Sequence, residues 1–246
     1  MSDVLRSEWT KLRSVWSTAW LLGGTLLLTV GLGVLLPVIG SNVGRLASDP
    51  VTLSLSGTTF ASLLTAVLGV VVISSEYRTG MIRTTLLAVP RRGRVLAAKA
   101  IVLAVVVLVL TFAALLPTFL VGQAILGERG VGLGDPGVLR AVAGAALYLT
   151  ACALFGLGLG ALIRHTAGGV VAVFMLLVLL PQMANLLPDE WGDQVYRFFT
   201  SNAGQQVLLR EPTPGLLEPW AGFGVFCAWV AVALAAAAVL LRRRDA

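Results

Sequence analysis

Side chains able to do chemistry are few in this sequence, and their spacing excludes more than it suggests. One histidine, His165, stands in the turn IRHTAGG, and two cysteines, Cys152 and Cys227, lie in apolar stretches. A lone histidine builds neither a metal site nor a nucleophile–base pair, and two such distant cysteines have no metal-ligand or redox spacing. The phosphate-cradling pattern G-x-x-x-x-G-K-[ST] is absent, because the only lysines, Lys11 and Lys99, follow no such glycines. The densest polar chemistry is SSEYRTGMIRTTLLAVPRRGR, residues 74–94, with five arginines and one acid, Glu76. Arginine brings charge and a fork of donors, which suits docking or anchoring at an anionic surface rather than bond breaking.

That basic stretch lies between apolar elements. Of the 246 residues, 57% are hydrophobic and 12% charged, against about 25% charged in a soluble domain. No Asp, Glu, Lys, Arg or His occurs in 14–44, 50–75, 100–127, 141–163, 166–188 or 219–241. A helix needs about 20 apolar residues to cross the hydrocarbon core. The expected fold is therefore all-α and polytopic: one domain over 1–246 with spans at 18–39, 57–75, 95–121, 141–163, 167–187 and 220–241. The first apolar run exceeds the roughly 7–15 residues of a secretory core, and no small-x-small cleavage site follows, so it reads as an uncleaved span. So little polar surface also excludes a nucleic-acid-binding domain, despite the net charge of +6.

Orientation follows from the basic residues. With the amino terminus inside, segments 1–17, 75–99, 164–166 and 242–246 are cytoplasmic and hold 13 of the 18 Lys and Arg but only 4 of the 12 acids. The positive-inside rule then places both termini and residues 74–94 in the cytoplasm.

Within this frame, Leu5, Trp9, Leu12 and Trp16 recur at helical spacing and predict an amphipathic helix over residues 1–17 on the inner membrane surface. Thr79 as a cap and Pro90 as a stop predict a second cytoplasmic helix, Gly80–Val89, with Ile82, Leu86 and Val89 on one face. Arg91, Arg92 and Arg94 form a basic collar before span three. The connection 188–219 is long for a link between spans, and Trp191, Val195 and Phe198 at i, i+4, i+7 predict short helices resting in the outer interface. Gly156 and Gly160 predict close helix packing within the chain. Pro117 and Pro181 predict kinks in spans three and five.

No span carries an ionisable group at its middle, which disfavours ion relays and intramembrane acid or metal proteases. Gln182 and Asn185, beside Pro181, are the polar pair best placed to line a path. Uphill movement through such a chain needs energy supplied from outside it, and the cytoplasmic helix between spans two and three is a place for that energy to enter.

This combination resembles the permease subunits of type 2 ABC exporters, including those of bacterial drug and bacteriocin self-protection. The resemblance rests on SEWTKLRSVWST, on SSEYRTGMIRTTLLAVPRRGRVLAAK and on six spans with both termini inside; SSEYRTGMIRTTL is its most specific part. It implies that the first segment is a connecting helix, and that the segment after span two is a coupling helix docking in a groove of an ATP-binding subunit. It also implies re-entrant helices before the last span, mapped loosely onto 191–209. Carried over, Glu76, Tyr77, Arg78, Thr79, Gly80, Met81, Ile82 and Arg83 become the docking surface. The implied assembly pairs this chain with a second permease chain, identical or not, and two ATPase subunits in the bacterial cell membrane. ATP and magnesium are expected on those subunits and no cofactor on this chain, which is not expected to be an enzyme. The alternative is a non-transporting membrane anchor or sensor that recruits a cytoplasmic partner through the same helix.

Overall fold

The computed structural model describes residues 2–43, 49–88, 92–184 and 189–243, and among these it is all-helical, with no strand. In chain order the helices are α1 (Ser2–Ser14), α2 (Trp16–Val43), α3 (Pro50–Leu55), α4 (Gly57–Thr79), α5 (Met81–Ala88), α6 (Arg92–Leu126), α7 (Val138–Ile163), α8 (Thr166–Phe174), α9 (Leu180–Met183), α10 (Asp189–Phe198), α11 (Thr200–Gln205) and α12 (Pro219–Arg243). Among the described residues, six stretches are long and apolar enough to cross a membrane: Trp16–Ser41, Pro50–Thr79, Gly93–Arg129, Val138–Ile163, Thr166–Met183 and Pro219–Arg243.

The helices are not equivalent. The apolar window of α7 is 78% buried and that of the α3–α4 stretch 61%, while the other four are 22–28% buried. A helix buried on all sides forms the hub, and helices left open on one flank are those that face lipid or another chain. Small residues decide which helix takes the centre. A methyl placed on Gly156 would collide with the Ala66 carbonyl, and one on Gly69 with the Ala153 carbonyl. A methyl on Gly160 would stand 2.9 Å from the Val70 Cα. The glycines thus let α4 and α7 touch backbone to backbone, the close packing expected from Gly156 and Gly160. Beyond this seam, Phe226 of α12 lies between Tyr148 and Phe155 of α7, with ring centroids 5.5 and 5.9 Å away.

Two expectations are revised by packing. The connection after span five does contain helices, but α11 does not rest on the surface. Thr200, Ser201, Ala203 and Gly204 are buried, and Gly204 abuts Tyr148 and Phe226. The segment can enter the bundle because Ser201, Ala203 and Gly204 are small and its polar side chains find partners there, Thr200 on the Leu176 carbonyl and Asn202 on the Tyr196 carbonyl. The prolines also differ. Helix α6 continues through Pro117 without interruption. In span five, a π turn over Met175–Leu179 comes just before Pro181. Proline lacks the amide that an α ladder would need, and a wider turn accommodates the loss. The hydroxyl of Thr200 donates to the carbonyl of Leu176 within that turn, which fastens α11 to span five.

Candidate coupling site

At the end of the bundle that carries α1, the chain turns sharply between α4 and α5. Gly80 makes the turn, with φ 71° and ψ 0°, and its N–H donates to the Tyr77 carbonyl at 3.3 Å. Only glycine enters this left-handed conformation without cost, so Gly80 ends α4 rather than opening the next helix. Thr79 accordingly does not cap α5. It is the last residue of α4, and its hydroxyl donates to the Ser75 carbonyl at 2.9 Å. Helix α5 starts at Met81, and Val89, Pro90 and Arg91 lie outside the described residues.

Above this corner sits a cluster of four charges from three helices, three of them buried and Lys11 half-buried. Lys99 of α6 donates to Glu8 of α1 at 2.5 Å and to Glu76 of α4 at 2.8 Å. Lys11 of α1 donates to the same two acids at 2.8 and 3.0 Å, and to the Thr85 hydroxyl of α5 at 3.3 Å. Glu8, Glu76 and Lys99 are each 2% exposed. Charges this deep persist only when paired, and here two cations face two carboxylates. Burial opposes the charge on Lys11, but its hydrogen bonds to Glu8 and Glu76 and their negative charge outweigh burial and hold its pKa above the usual lysine value. One polar knot therefore joins α1, the end of span two, the start of span three and α5.

A second set of contacts ties span two to the turn between spans four and five. The Arg164 guanidinium lies 5.2 Å from the centre of the Tyr77 ring. The hydroxyls of Ser74 and Thr166 are hydrogen-bonded at 2.8 Å. His165 caps α8, its Nδ1 accepting from the Gly168 N–H at 3.3 Å.

The eight residues of the expected docking surface divide by orientation. Arg78, Thr79, Gly80 and Met81 are exposed. Tyr77 is half-buried beneath Arg164. Glu76 and Ile82 turn inward, Glu76 because two lysines draw its carboxylate and Ile82, 4% exposed, because it is apolar. Arg83 lies in α5, but its side chain is outside the described portion, as is the whole of Asn185. Gln182 is exposed in α9. On α1, Leu5 and Leu12 are half-buried while Trp9 stands 50% exposed; the expected helix over 1–17 breaks at Val15, so that Trp16, 78% exposed, opens α2 instead. The face turned toward the protein also carries Glu8 and Lys11, which hydropathy spacing does not show. A signal was available: the two lysines of an arginine-rich chain are both members of the cluster, and Glu8 and Lys11 are one helical turn apart. Leu87, 85% exposed on α5, was likewise outside the expected set.

Residues 25–246 match the family model described as ABC-2 family transporter protein. The chain belongs to the ABC-2 transporter family. No curated protein matches it. With six apolar helices, this ABC-2 chain is a multi-pass membrane protein and a membrane permease of an ABC transporter, a component that in this family works with an ATP-binding subunit. The region matched to the ABC-2 family contains Glu76 and Lys99, whereas Glu8 and Lys11 precede it.

Proposed function

We propose that this permease is the membrane half of an ATP-driven exporter, and that it receives work through α5 from a separate ATP-binding subunit in the cytoplasm. One observation carries the reading. The exposed corner Arg78–Met81 leads into a short helix, α5, that carries the exposed Leu87 and whose Thr85 is tied to the charge cluster that joins spans two and three. A force applied at α5 would move both spans together, because the glycine corner and the charge cluster leave little slack between them. The basic inner segments favour a cytoplasmic position for α5 and both termini, in the bacterial cell membrane. The exposed flanks, including Phe174, Met175 and Met183 of span five, suit a second permease chain, with the exposed Gln182 near the seam.

The docking face in this reading is Arg78, Thr79, Gly80, Met81 and Leu87, with Arg83 beside them. Glu76, Tyr77 and Ile82 act by holding the corner in shape. Purification of the tagged permease with its ATP-binding partner tests this. Met81→Asp and Leu87→Asp are expected to remove the ATPase while leaving the thermal stability of the permease unchanged. ATPase retention in both variants would overturn the docking face. A complex that hydrolyses ATP but moves no cargo would favour the anchor reading.

A further inference from the structure

Span five does not wind evenly. Its π turn over Met175–Leu179 is closed by the Leu180 N–H, which donates to the Met175 carbonyl. The next residue, Pro181, has no N–H to give. The Leu176 carbonyl is left with neither amide that could close an α or a π turn on it. That of Leu180 is committed to Met175, and position 181 has none. The hydroxyl of the fully buried Thr200 donates to this carbonyl instead. Two residues on, the Asn202 Nδ2 donates to the Pro181 carbonyl at 3.4 Å. A π turn closes one residue later than an α turn. If the span wound as α throughout, the Leu180 N–H would return to Leu176, and the carbonyl left open by Pro181 would be that of Leu177. Proline thus leaves a carbonyl unclosed in either winding, and the Thr200 hydroxyl meets the one that belongs to the π winding.

We propose that Thr200 is a positioning residue for span five: its hydroxyl holds the π winding, and its withdrawal lets the span rewind as α. Without that donor the π winding keeps an unpaired carbonyl inside an apolar span, and the α winding closes it with the Leu180 amide. Rewinding has a defined geometry. Loss of the extra residue in the turn advances every later residue by one place, about 100° around the axis. Met183, 49% exposed, enters the place of Ala184, 3% exposed, and Gln182 takes the exposed place of Met183. Relative motion of α11 and span five is what withdraws the hydroxyl. Helix α11 is seated on the rest of the bundle: Gly204 abuts Tyr148 and Phe226, and a methyl on Gly222 of α12 would stand 2.5 Å from the Ala203 carbonyl. Separation of span five from α7 and α12 therefore pulls Thr200 away from Leu176.

On the permease reading above, this motion exchanges a polar for an apolar side chain beside the second chain; the winding itself is tested without nucleotide, ATPase or cargo. The full chain is placed in lipid nanodiscs with Cys227→Ala, since Cys227 is exposed, while the buried Cys152 stays. Met183→Cys or Gln182→Cys then supplies one reporter, and its labelling rate with N-ethylmaleimide is measured. Both reporters are expected to label while Thr200 is present. Thr200→Val keeps the shape and removes the donor. It should slow labelling at Met183→Cys at least about two-fold, since loss of one hydrogen bond shifts a two-state balance about five-fold. Labelling at Gln182→Cys should not change. Thr200→Ser keeps a hydroxyl and should label as the native chain does. Pro181→Ala returns an amide to the ladder and should slow Met183→Cys as Thr200→Val does, which decides the matter even where Thr200→Val fails to fold. A silent Met183→Cys beside native Thr200, native labelling in a folded Thr200→Val chain or in Pro181→Ala, or an equal loss in Thr200→Ser would each overturn the proposal. Retention of the ATPase by the α5 variants would overturn the coupling scheme and leave these readings intact.

Discussion

Glu8 and Lys99, 91 residues apart in the chain, meet at 2.5 Å with both side chains 2% exposed. Together with Glu76 and Lys11 they make α1 an integral part of the permease rather than a loose lead-in to span one. Removing one member leaves its partners buried with unbalanced charge. Lys99→Met is expected to cost about 3–5 kcal/mol, read as a large fall in the unfolding temperature of the purified chain. Arg94→Ala, at an exposed position of the same helix, should change it within about 0.5 kcal/mol. Equal effects in the two variants would mean that the cluster does not hold α1.

The cluster has a pH dependence of known sign on the alkaline side. Folding raises the Lys11 pKa above its ordinary 10.5. Below that value Lys11 is charged in both states, and its contribution is fully present. Above it the unfolded chain loses the proton first, and the contribution disappears as pH rises through the folded value. Unfolding temperature measured against pH should therefore fall more steeply above about 10.5 in the native chain than in Lys11→Met.

The seam between α4 and α7 is expected to reject a single methyl. Gly69→Ala and Gly156→Ala place that methyl against backbone carbonyls that cannot step aside, so each should destabilise by about 1–3 kcal/mol or more. Gly23 in α2 has nothing within 4 Å of an added methyl. Gly23→Ala should be neutral or gain about 0.5–1 kcal/mol from reduced backbone freedom. Thermal unfolding of the three variants checks the contrast.

The corner at Gly80 should tolerate asparagine better than alanine. Gly80→Ala forces a side chain into the left-handed region, at about 1–2 kcal/mol, whereas asparagine adopts that region more readily. Since Gly80 has open space around it, the effect is conformational rather than steric. Trypsin cleavage in the arginine-rich stretch reads it: faster in Gly80→Ala than in Gly80→Asn.

The membrane fold was legible because each span is a local property. A run without charge, long enough to cross hydrocarbon, declares its solvent whatever it packs against. The same holds for the amphipathic α1 and for the helical character of residues 191–209. Gly156 was legible as a packing residue, although its partner Ala66 was not. The basic stretch 74–94 is legible as a built element, yet the expected helix opens at Gly80 behind a Thr79 cap, whereas α5 opens at Met81. A threonine before a helix reads as a cap unless the next residue's backbone angles are known.

Tertiary structure alone decided which charges meet. Nothing in hydropathy sets the rotation of α1, α4 and α6 about their axes, and the pairings of Glu8, Lys11, Glu76 and Lys99 depend on those rotations. It likewise decided that α7 occupies the centre, that α11 folds back against Tyr148 and Phe226, and that the amides of Asn202 and Gln206 turn their nitrogens inward. The sequence by itself determined what each segment is soluble in. Register between helices came from the close approach that glycine and alanine permit, and register between segments far apart in the chain becomes fixed only when they are packed.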